Sequence, residues 1–596
     1  MNIPALESTT AIKKGGSFLV EETAPEAIFT PEEFTEEHLM IRKTIEDFME
    51  NEVAPRIEEM EHKNFDVTVG LLRKAATLGL LAIDIPEKYG GLGLDKISSM
   101  VVAEKLTRVG SFAVSHGGHT GIGTWPILFF GTEEQKSKYL PKLATGELLA
   151  AYALTEPESG SDALGAKSTA RLTADGKHYI LNGTKAWITN AGFADIFIVF
   201  AKVNGEKFSC FLVEKDYPGV STGKEEPKMG IEGSSTRTLI LEDVPVPVEN
   251  VIGQIGKGHK VAFNVLNLGR FKLGVGCIGG SKTAMGESIP YAIQRRQFGK
   301  PIASFGAIKN KIAEMSIRTW VGESMAYRTV GLANEALKGI DVDDSEHILS
   351  AIEEYAIECS ILKVMGSEIL SYVVDESVQI FGGYGYSREY PIERAYRDAR
   401  INRIFEGTNE INRMLITGMV LKRAMKNTLP LIPAVQNLMA EIAEGRYTPE
   451  ADDSYLGVEK AAVSRAKKAL LLAAGAAVQK YMDSMDKQQE ITSYLADMIM
   501  DIYAMESALL RTLKLVANQG EAKTSIQIDI TRVFINDAMM RIENSAKQVL
   551  AAITEGEALG GQIAAMKRFT RYTPINTIQI KRRIADHMIE AGRYCG

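Results

Sequence analysis

The sequence has few of the features that mark disulfide-rich, metal-binding or nucleic-acid-binding proteins. Its 596 residues include four cysteines, at positions 210, 277, 359 and 595, and no two of them form a CxxC pair. This spacing argues against a zinc site and against a disulfide framework, and it fits a reducing compartment. The formal net charge of −8 gives no reason to expect nucleic acid as a partner. We therefore expect neither a metal nor a nucleic-acid partner.

Long apolar runs are also absent. The N-terminus, MNIPALESTTAIKKGGSFLVEETAPEAIF, has no apolar core of signal-peptide length and is acidic rather than Arg-rich. The longest run of small apolar residues, ALLLAAGAAV at 469–478, is too short to span a bilayer. A soluble cytoplasmic protein is the expectation. The segment KAAVSRAKKALLLAAGAAVQK (460–480) joins a basic cluster to this run, which leaves two interpretations open: peripheral membrane contact of the tail, or a packed bundle helix.

The usual nucleotide-binding fingerprints are missing as well. Gly382, Gly383 and Gly385 in QIFGGYGY (379–386) would let a backbone approach a ligand closely. They lack the G-x-G-x-x-G spacing and the strand–turn–helix frame of a Rossmann site. No Walker A phosphate loop occurs either. A Rossmann dinucleotide site is therefore disfavoured.

The patterning that is present divides the chain into helical and strand-rich regions. β-branched and aromatic clusters alternate with turn signals in the middle of the chain, and helical periodicity dominates before and after. We expect a mainly α protein with a central β domain. The predicted regions are an N-terminal arm (1–34), an N-terminal helical domain (35–147), the β domain (148–254), a helical bundle (255–425), a connecting region (426–455) and a helical tail domain (456–596).

Two local signals predict how particular segments begin and turn. In GTEEQKSKYLPKL, Thr132 is followed three residues later by Gln135, which is the pattern of a helix capping box. In HYILNGTKAWIT, Asn182-Gly183 stands between two strand-like runs, which predicts a type I′ hairpin.

The tail repeats part of the preceding bundle. IAEMSIRTWVGESMAYRTVGL (312–332) and LADMIMDIYAMESALLRTLKL (495–515) share Ala, Met, Glu-Ser, Arg-Thr and Leu in register at a constant offset. Two interpretations remain open: chance similarity between amphipathic helices, or a second bundle derived from the first. The tail contains no match to EGTNEI, so a duplicated bundle would have kept the packing without the chemistry.

Several segments combine residues that could bind a ligand. YALTEPESGSDALGAKS (152–168) offers hydroxyls and free backbone N–H groups, which can hold a polar heterocycle or a phosphate; Glu156 and Asp162 are expected to fix this loop. KAWITNAG (185–192) puts Trp187 and Thr189 on one face of a predicted strand, and Arg295 with Arg296 in QRRQFGKPI could bind pyrophosphate. The alternatives are a surface loop, a core aromatic residue and a solvated pair of arginines.

A single carboxylate stands out in RIFEGTNEINR (403–413), where Glu406 lies between Phe405 and Gly407. One interpretation is an exposed helix-entry residue favoured by the helix dipole. The other is a carboxylate against an apolar wall, where burial raises its pKa. Glutamate is rarely buried without a partner, so the surroundings of Glu406 decide between them.

Taken in order, TEPESGSD, WITN, RQFG and QIFGGYGY followed by RDARINRIFEGTNEI resemble the acyl-CoA dehydrogenase family. The resemblance covers residues 36–425. The long helical tail and KMGIEGSSTRT (228–238) are similar to the very-long-chain branch. The resemblance implies a helical domain, a β-barrel-like domain and a second helical bundle, with FAD between the last two. It also implies at least a dimer, with the tail covering the face that tetrameric relatives use for a second dimer.

The resemblance implies roles for particular residues. Glu406 would be the catalytic base, and Ser161, Arg270, Phe405 and Gly407 would lie near the substrate. The residues implied to bind FAD form three groups. They are Tyr152, Leu154, Thr155, Gly160, Ser161, Trp187, Ile188 and Thr189 at the flavin; Arg295, Gln297, Phe298, Gln379, Gly382 and Gly383 at the adenosine diphosphate of another subunit; and Thr408, Asn409 and Glu410 at the start of the next helix.

The implied reaction is α,β-dehydrogenation of acyl-CoA to trans-2-enoyl-CoA in fatty acid β-oxidation, with electrons passing to an electron-transferring flavoprotein. Glu406 would take the α-proton, and the flavin would accept hydride. Some relatives carry the base at the position matching Gly269, where this chain has no carboxylate. A glycine there would also widen the acyl pocket, which favours long chains. An acyl-CoA oxidase using oxygen and a low-activity scaffold flavoprotein remain as alternatives.

Overall fold

A computed structural model of the protein describes residues 13–341, 344–445 and 454–596. The first layer is helical and encloses its own apolar core, which includes Ile45, Leu72 and Phe112. Its helices are α1 (Glu36–Phe48), α2 (Ile57–Glu61), α3 (Phe65–Thr77), α4 (Lys96–Leu106), α5 (Gly110–Gly117), α6 (Trp125–Phe130) and α7 (Glu133–Ala144). At the start of α7 the side chains of Thr132 and Gln135 accept each other's backbone N–H. The predicted capping box is confirmed.

A mixed β-sheet follows the first helices. Its strands are β1 (Ala150–Ala153), β2 (Thr169–Leu172), β3 (His178–Thr189), β4 (Ile196–Val203), β5 (Lys207–Glu214), β6 (Val220–Glu225), β7 (Thr236–Pro247) and β8 (Val251–Ile252). The order across the sheet is β6-β7-β3-β2-β4-β5-β8, with β1 also pairing β4. Both β1 and β2 run parallel to β4, and the other pairs are antiparallel.

Strand β4 has helical packing on one face and sheet packing on the other. Ile196, Ile198 and Phe200 join the core shared with α6 and α7, whereas Phe197 and Val199 belong to the core on the opposite face. A strand buried on both faces is apolar at successive positions, which explains the continuous run IFIVFAKV.

The predicted hairpin at Asn182-Gly183 is wrong. Strand β3 runs through both residues, with an irregular register against β7 between Leu181 and Gly183. A Cβ at Gly183 would stand 2.2 Å from Ser168 Oγ, so the glycine permits close approach within the sheet. The chain instead reverses between β2 and β3 around Gly176, whose φ is +70°. The sequence contained that signal as Asp175-Gly176.

The next layer is a helical bundle packed around α8. Its helices are α8 (Gly258–Gln294), α9 (Gly306–Leu337), α10 (Ser345–Glu354), α11 (Ala356–Phe381), α12 (Pro391–Ala399) and α13 (Asn409–Met425), with a two-stranded ribbon of β9 (Arg296–Gln297) and β10 (Lys300–Pro301) after α8. Helix α8 is long and apolar enough to cross a membrane, but 72% of its most apolar window is buried inside the protein. It is therefore the core helix of this bundle.

A second bundle forms the tail. Its helices are α15 (Gly457–Tyr481), α16 (Gln489–Gln519), α17 (Ser525–Ile553), α18 (Gly556–Thr570) and α19 (Thr577–Ala591). The apolar run of α15 is buried, as at Ala469, Leu470 and Ala473, and Lys467 pairs with Glu506 of α16. Residues 460–480 thus form a packed bundle helix, with most of the apolar run facing the interior of the bundle.

The segment predicted as a connection between the bundles contains a helix of its own, α14 (Leu431–Ala443). Leu431 and Leu438 are buried, and Val435 fits against Gly475 of α15, where an added Cβ would stand 2.9 Å from it. The prolines at 430 and 433 lie at the start of this helix, where proline is tolerated. Residues 446–453 of the predicted connection lie outside the described residues.

The described part of the N-terminal arm packs between the two bundles. Phe18, Leu19 and Ile28 are buried. The N–H of Gly16 donates to Glu358 of α11 at 2.7 Å, and Lys514 of α16 donates to the Ile28 carbonyl at 2.7 Å. Residues 13–34 therefore belong to the folded core, and residues 1–12 lie outside the described residues.

The two sequence repeats lie on α9 and α16 and contact each other reciprocally. Arg328 of α9 donates to Glu506 at 2.6 Å and to Ser507 at 3.1 Å. At the equivalent position, Arg511 of α16 donates to Glu323 at 2.8 Å and to Ser324 at 3.2 Å.

The aromatic residues under these arginines repeat as well. The guanidinium groups of Arg328 and Arg511 lie over the rings of Tyr503 and Trp320, at 4.7 and 4.8 Å. Chance similarity does not explain matched contacts of this kind, so the structure favours a duplicated bundle that packs against its own original.

Candidate active site

Glu406 lies in a short loop between a 3₁₀ turn (Arg400–Arg403) and the start of α13. Glu406 and Gly407 both have left-handed backbones, with φ of +58° and +80°. A non-glycine residue in this region costs roughly 1–3 kcal/mol and needs support from its surroundings. Asn412 supplies it, since its Nδ2 donates to the Gly407 and Thr408 carbonyls at 2.8 and 3.0 Å. The loop therefore fixes where the Glu406 side chain points.

The Glu406 carboxyl group occupies the space left by the missing side chain of Gly269. A Cβ at Gly269 would stand 2.7 Å from Glu406 Oε2 and 2.8 Å from Cδ. Oε2 is buried and has no hydrogen-bond partner among the described residues. Burial raises the pKa of Glu406 to about 7, against the opposing effect of Arg270 and Lys363. The exposed helix-entry interpretation is thus wrong, and the carboxyl group combines burial with a pKa raised toward neutral pH, which is typical of functional carboxyl groups.

Arg270 is buried beside the loop. Its Nε donates to the Glu406 carbonyl at 3.2 Å, and its Nη1 donates to Asn267 Oδ1 at 2.9 Å. The side chain therefore contacts the backbone of the loop. An added Cβ on Gly407 would stand 3.2 Å from Asn412 and 3.8 Å from Arg270, so Gly407 provides clearance for the residues that hold the loop.

Lys363 of α11 lies behind the base, and the sequence patterns did not single it out. It is buried, and its Nζ donates to Asn409 Oδ1 at 2.7 Å. The Asn409 amide donates in turn to Ser367 and Glu368, both at 3.1 Å. Asn409 was predicted to bind the cofactor, but its side chain is used inside the protein. The available signal was a lysine within the apolar run SILKVMGSEIL.

Glu406 opens into a cavity of about 680 Å³ between the first helical layer and α8. Phe405 lines it beside the base, and Thr189 lines it from the β-sheet. Small residues of α8 face it at Gly269, Gly276, Gly280 and Gly286. The helical rise gives about 27 Å between Gly269 and Glu287 at the far end. The cavity is therefore long and largely apolar along this wall.

The residues of β1, β3 and the loop between them that were predicted to bind the flavin differ in solvent exposure. Tyr152, Leu154 and Ile188 are buried, and the Tyr152 hydroxyl has no partner among the described residues. Trp187 is 61% exposed, with φ of +61°. Thr155 is half-buried, and Gly160 and Ser161 are exposed.

A large exposed indole next to threonine hydroxyls suits a flat heterocycle with polar edges. Glu156 and Asp162 fix the neighbouring loop, as expected. Glu156 accepts from Lys185 at 2.6 Å, and Asp162 accepts from the Gly165 N–H at 3.1 Å.

The remaining predicted cofactor residues lie elsewhere. Arg295, Gln297, Gly382 and Gly383 line a second cavity of about 580 Å³ that shares no lining residue with the first. Phe298 is 91% exposed, Gln379 is exposed, and neither lines that cavity. Thr408 caps α13 by accepting from Ile411 N–H at 3.3 Å, and Glu410 is exposed in its first turn. One chain thus does not bring all the predicted cofactor residues together.

Comparison with known proteins finds similarity along nearly the whole chain. Family models described as acyl-CoA dehydrogenase match an N-terminal domain (35–147), a middle domain (151–244), a C-terminal domain (256–421) and a further C-terminal domain (465–568). The chain is 54% identical to a probable acyl-CoA dehydrogenase of Bacillus subtilis, over 98% of each chain. It is 36% identical to the mitochondrial very long-chain specific acyl-CoA dehydrogenase of Rattus norvegicus, over 78% of this chain and 72% of that protein.

A solved structure shares the whole fold. It is an acyl-CoA dehydrogenase complexed with FAD from Bacillus anthracis, with a TM-score of 0.96 and 54% sequence identity. The match covers 98% of this chain and 100% of that one, so it includes the tail bundle.

Proposed function

This chain belongs to the acyl-CoA dehydrogenase family and is an FAD-dependent oxidoreductase, and from that premise we propose that it oxidises long-chain acyl-CoA thioesters to trans-2-enoyl-CoA with Glu406 as the base. One observation carries the choice of base: the buried, unpaired Oε2 of Glu406 in a long cavity, with a pKa of about 7. A carboxylate with its ordinary pKa near 4.3 is a much weaker base. Glu406 is both ionisable at neutral pH and basic enough to take an α-proton.

The residues of β1 and β3 fit FAD by their chemistry. Bound FAD supplies the hydride acceptor for the substrate β-carbon. The hydroxyls of Thr155 and Thr189 provide neutral hydrogen-bonding groups for the polar edge of a flavin. The exposed Trp187 indole provides an aromatic face to cover it.

Glu406 also contributes through its backbone. Proton removal leaves an electron pair that is delocalised into the thioester carbonyl, so a donor at that oxygen stabilises the developing charge. The Glu406 N–H donates to no acceptor among the described residues. Arg270 and Asn412 hold this loop from the other side. We assign the Glu406 N–H to the thioester oxygen, with Arg270 as a positioning residue.

The cavity supports a long acyl chain. Its wall along α8 extends about 27 Å from the base, and at Gly286 nothing lies within 4 Å of an added Cβ. A short acyl chain would fill only its first part. A preference for long chains is therefore proposed on the length of the channel.

The second cavity supports a proposal about the oligomeric state. Arg295 and Gln297 are exposed there and remain unused by the first cavity. We propose a homodimer in which these residues meet the adenosine diphosphate part of the partner's FAD, while the tail bundle covers the outer face of α9. We also propose an electron-transferring flavoprotein as the electron acceptor, on the resemblance to the acyl-CoA dehydrogenase family. The cytoplasm is the proposed location.

The test is an anaerobic titration of the FAD-loaded protein with butyryl-, octanoyl- and palmitoyl-CoA while the flavin absorbance is recorded. Palmitoyl-CoA should bleach the flavin fully and butyryl-CoA slowly. Glu406→Gln should bind acyl-CoA and shift the flavin spectrum without bleaching it. Normal bleaching by this variant would mean that the base lies elsewhere, and peroxide formation in air would favour an oxidase.

Glu358→Gln is the matched control for this test. Glu358 is also a buried glutamate with a raised pKa and an unpaired Oε2, but it lies against the N-terminal arm. Its variant should bleach at the normal rate.

A further inference from the structure

One wall of the acyl cavity carries a buried charged cluster that the proposed chemistry does not use. At its centre is Asp84, whose carboxylate accepts from Lys96 at 2.7 Å, from Lys272 at 3.0 Å, from Ser99 at 3.1 Å and from Trp125 at 3.4 Å. Two lysines on one aspartate leave a surplus of one positive charge. Burial normally requires a charge to be paired, so this surplus needs an explanation.

Of the two lysines that pair with Asp84, Lys272 is the one that faces the cavity. It lines the cavity with Asp84, Ser99 and Trp125, whereas Lys96 does not. Its side chain is 18% exposed although Asp84 is only 6% exposed, and its Nζ lies 4.6 Å above the Trp125 ring.

An ammonium group has three N–H donors. Among the described residues, the only acceptor within hydrogen-bond distance of Lys272 Nζ is Asp84. Two donors are therefore available inside a largely apolar channel.

Burial lowers the pKa of Lys272 and the Asp84 carboxylate opposes this shift, and Asp84 is the only carboxylate among the described residues that forms an ion pair with it. His116 lines the same part of the cavity, but burial lowers its pKa to about 3, so it is neutral. Its Nε2 bonds to the Leu80 carbonyl, and its Nδ1 contacts the Thr120 hydroxyl. The one carboxylate in contact with Lys272 is already shared with Lys96.

We propose that Lys272 forms a subsite for an oxygen-bearing acyl chain, best of all one that ends in a carboxylate, within the same cavity that takes plain acyl chains. The inference rests on the proposed function, since it assumes that the acyl chain lies in this cavity. A terminal carboxylate would accept the two free N–H donors and cancel the surplus charge in a site shielded from water. A methyl-ended chain would pack against the apolar wall along α8, and Lys272 would then have Asp84 as its only hydrogen-bond partner among the described residues.

The position of Lys272 fits a specificity role rather than a catalytic one. It lies one helical turn beyond Gly269 on α8, about 4.5 Å further along the axis from the residue that contacts the base. It makes no hydrogen bond to Glu406, Arg270 or the loop that holds them. Changing it should alter which chains bind and leave the proton-transfer geometry intact.

The experiment compares acyl-CoA pairs of equal length that end in a methyl group or a carboxylate: hexanoyl with adipyl, octanoyl with suberyl, and decanoyl with sebacyl. The measured quantity is the ratio of kcat/KM within each pair, in wild type and in Lys272→Met. We expect at least one carboxylate-ended chain to be used by wild type within about tenfold of its partner. Lys272→Met should lower kcat/KM for that chain at least about tenfold and leave the methyl-ended chain within about twofold.

Lys96→Met is the matched control, because it removes the same charge from Asp84 at a position that does not line the cavity. Its ratios should equal those of wild type. If every carboxylate-ended chain is rejected by wild type more than about a hundredfold, Lys272 binds only water and the proposal fails, even if Lys272→Met does not fold. Equal ratios in wild type and Lys272→Met would also overturn it.

Failure of the proposed function would look different. In that case palmitoyl-CoA would not reduce the flavin of wild type. Binding of sebacyl-CoA to FAD-loaded Glu406→Gln, measured by calorimetry with and without Lys272→Met, reports on the subsite without any turnover.

Discussion

Gly269→Ala tests whether the fit between α8 and Glu406 sets the position of the base. The added methyl group would stand 2.7 Å from Oε2, so the carboxyl group must retreat by roughly 0.7 Å to reach the 3.4 Å at which ordinary contact begins. Misplacing a reacting group by 1 Å can cost about a hundredfold in rate. We therefore expect flavin reduction by saturating palmitoyl-CoA to slow about tenfold to a hundredfold, or about 1.4–2.7 kcal/mol in activation free energy.

The assay is stopped-flow absorbance of the FAD-loaded protein under anaerobic conditions, with acyl-CoA affinity measured separately. Gly418→Ala on α13 is the control, because nothing lies within 4 Å of its added methyl group. That variant should reduce at the wild-type rate. If Gly269→Ala also reduced at the wild-type rate with unchanged affinity, Glu406 would not be the base in the position described, and the reasoning from this contact would be refuted.

Two further perturbations address the charge around the base and the joint between the bundles. In wild type, kcat/KM should fall about tenfold for each pH unit below about 7, because Glu406 must be ionised. Lys363→Met should move the midpoint of this pH profile upward, since Lys363 lowers the pKa of Glu406. An unchanged midpoint would mean that Lys363 does not affect the pKa of Glu406. Arg511→Met, which removes one of the two cations paired with the buried Glu323 and leaves Lys282 as the other, should cost about 3 kcal/mol of unfolding free energy. Arg583→Met, at a pair whose arginine is 56% exposed, should cost under about 1 kcal/mol. Thermal unfolding of both arginine variants measures these costs. Equal losses of unfolding free energy would contradict the conclusion that Arg511 is buried and Arg583 is exposed.

The fold class and the family were readable from the chain, because helical periodicity and turn chemistry are local properties. The errors arose where a local signal had two meanings. Asn182-Gly183 matches a hairpin turn, yet the pair lies within β3 because Gly183 must pass close to Ser168. The tail segment at 460–480 has a composition that suits a membrane surface or a bundle core, and only the tertiary structure shows that its apolar run packs within the tail bundle.

At the candidate site, the sequence identified the residues with the most distinctive neighbours. Glu406 between Phe405 and Gly407 was readable as a possible buried base, and the structure gives it a buried carboxyl oxygen and a raised pKa. Lys363 was not readable, because a lysine in an apolar helix shows its importance only once its partner is known. That partner, Asn409, lies 46 residues away in the chain. The cofactor role predicted for Asn409 stays a prediction, and its side chain is already bonded to Lys363, Ser367 and Glu368.

The sequence by itself determined the types and order of the domains and the flavin-family motifs, and it singled out Glu406 as the candidate base, because these depend on residues close together in the chain. Tertiary structure decided the rest. It brought Gly269 to the Glu406 carboxyl and paired Arg328 and Arg511 reciprocally across α9 and α16. It also left Lys272 with unused donors in the acyl channel. Each of these depends on the distance between residues far apart in sequence, and the burial that gives such contacts their energy exists only after the layers have packed.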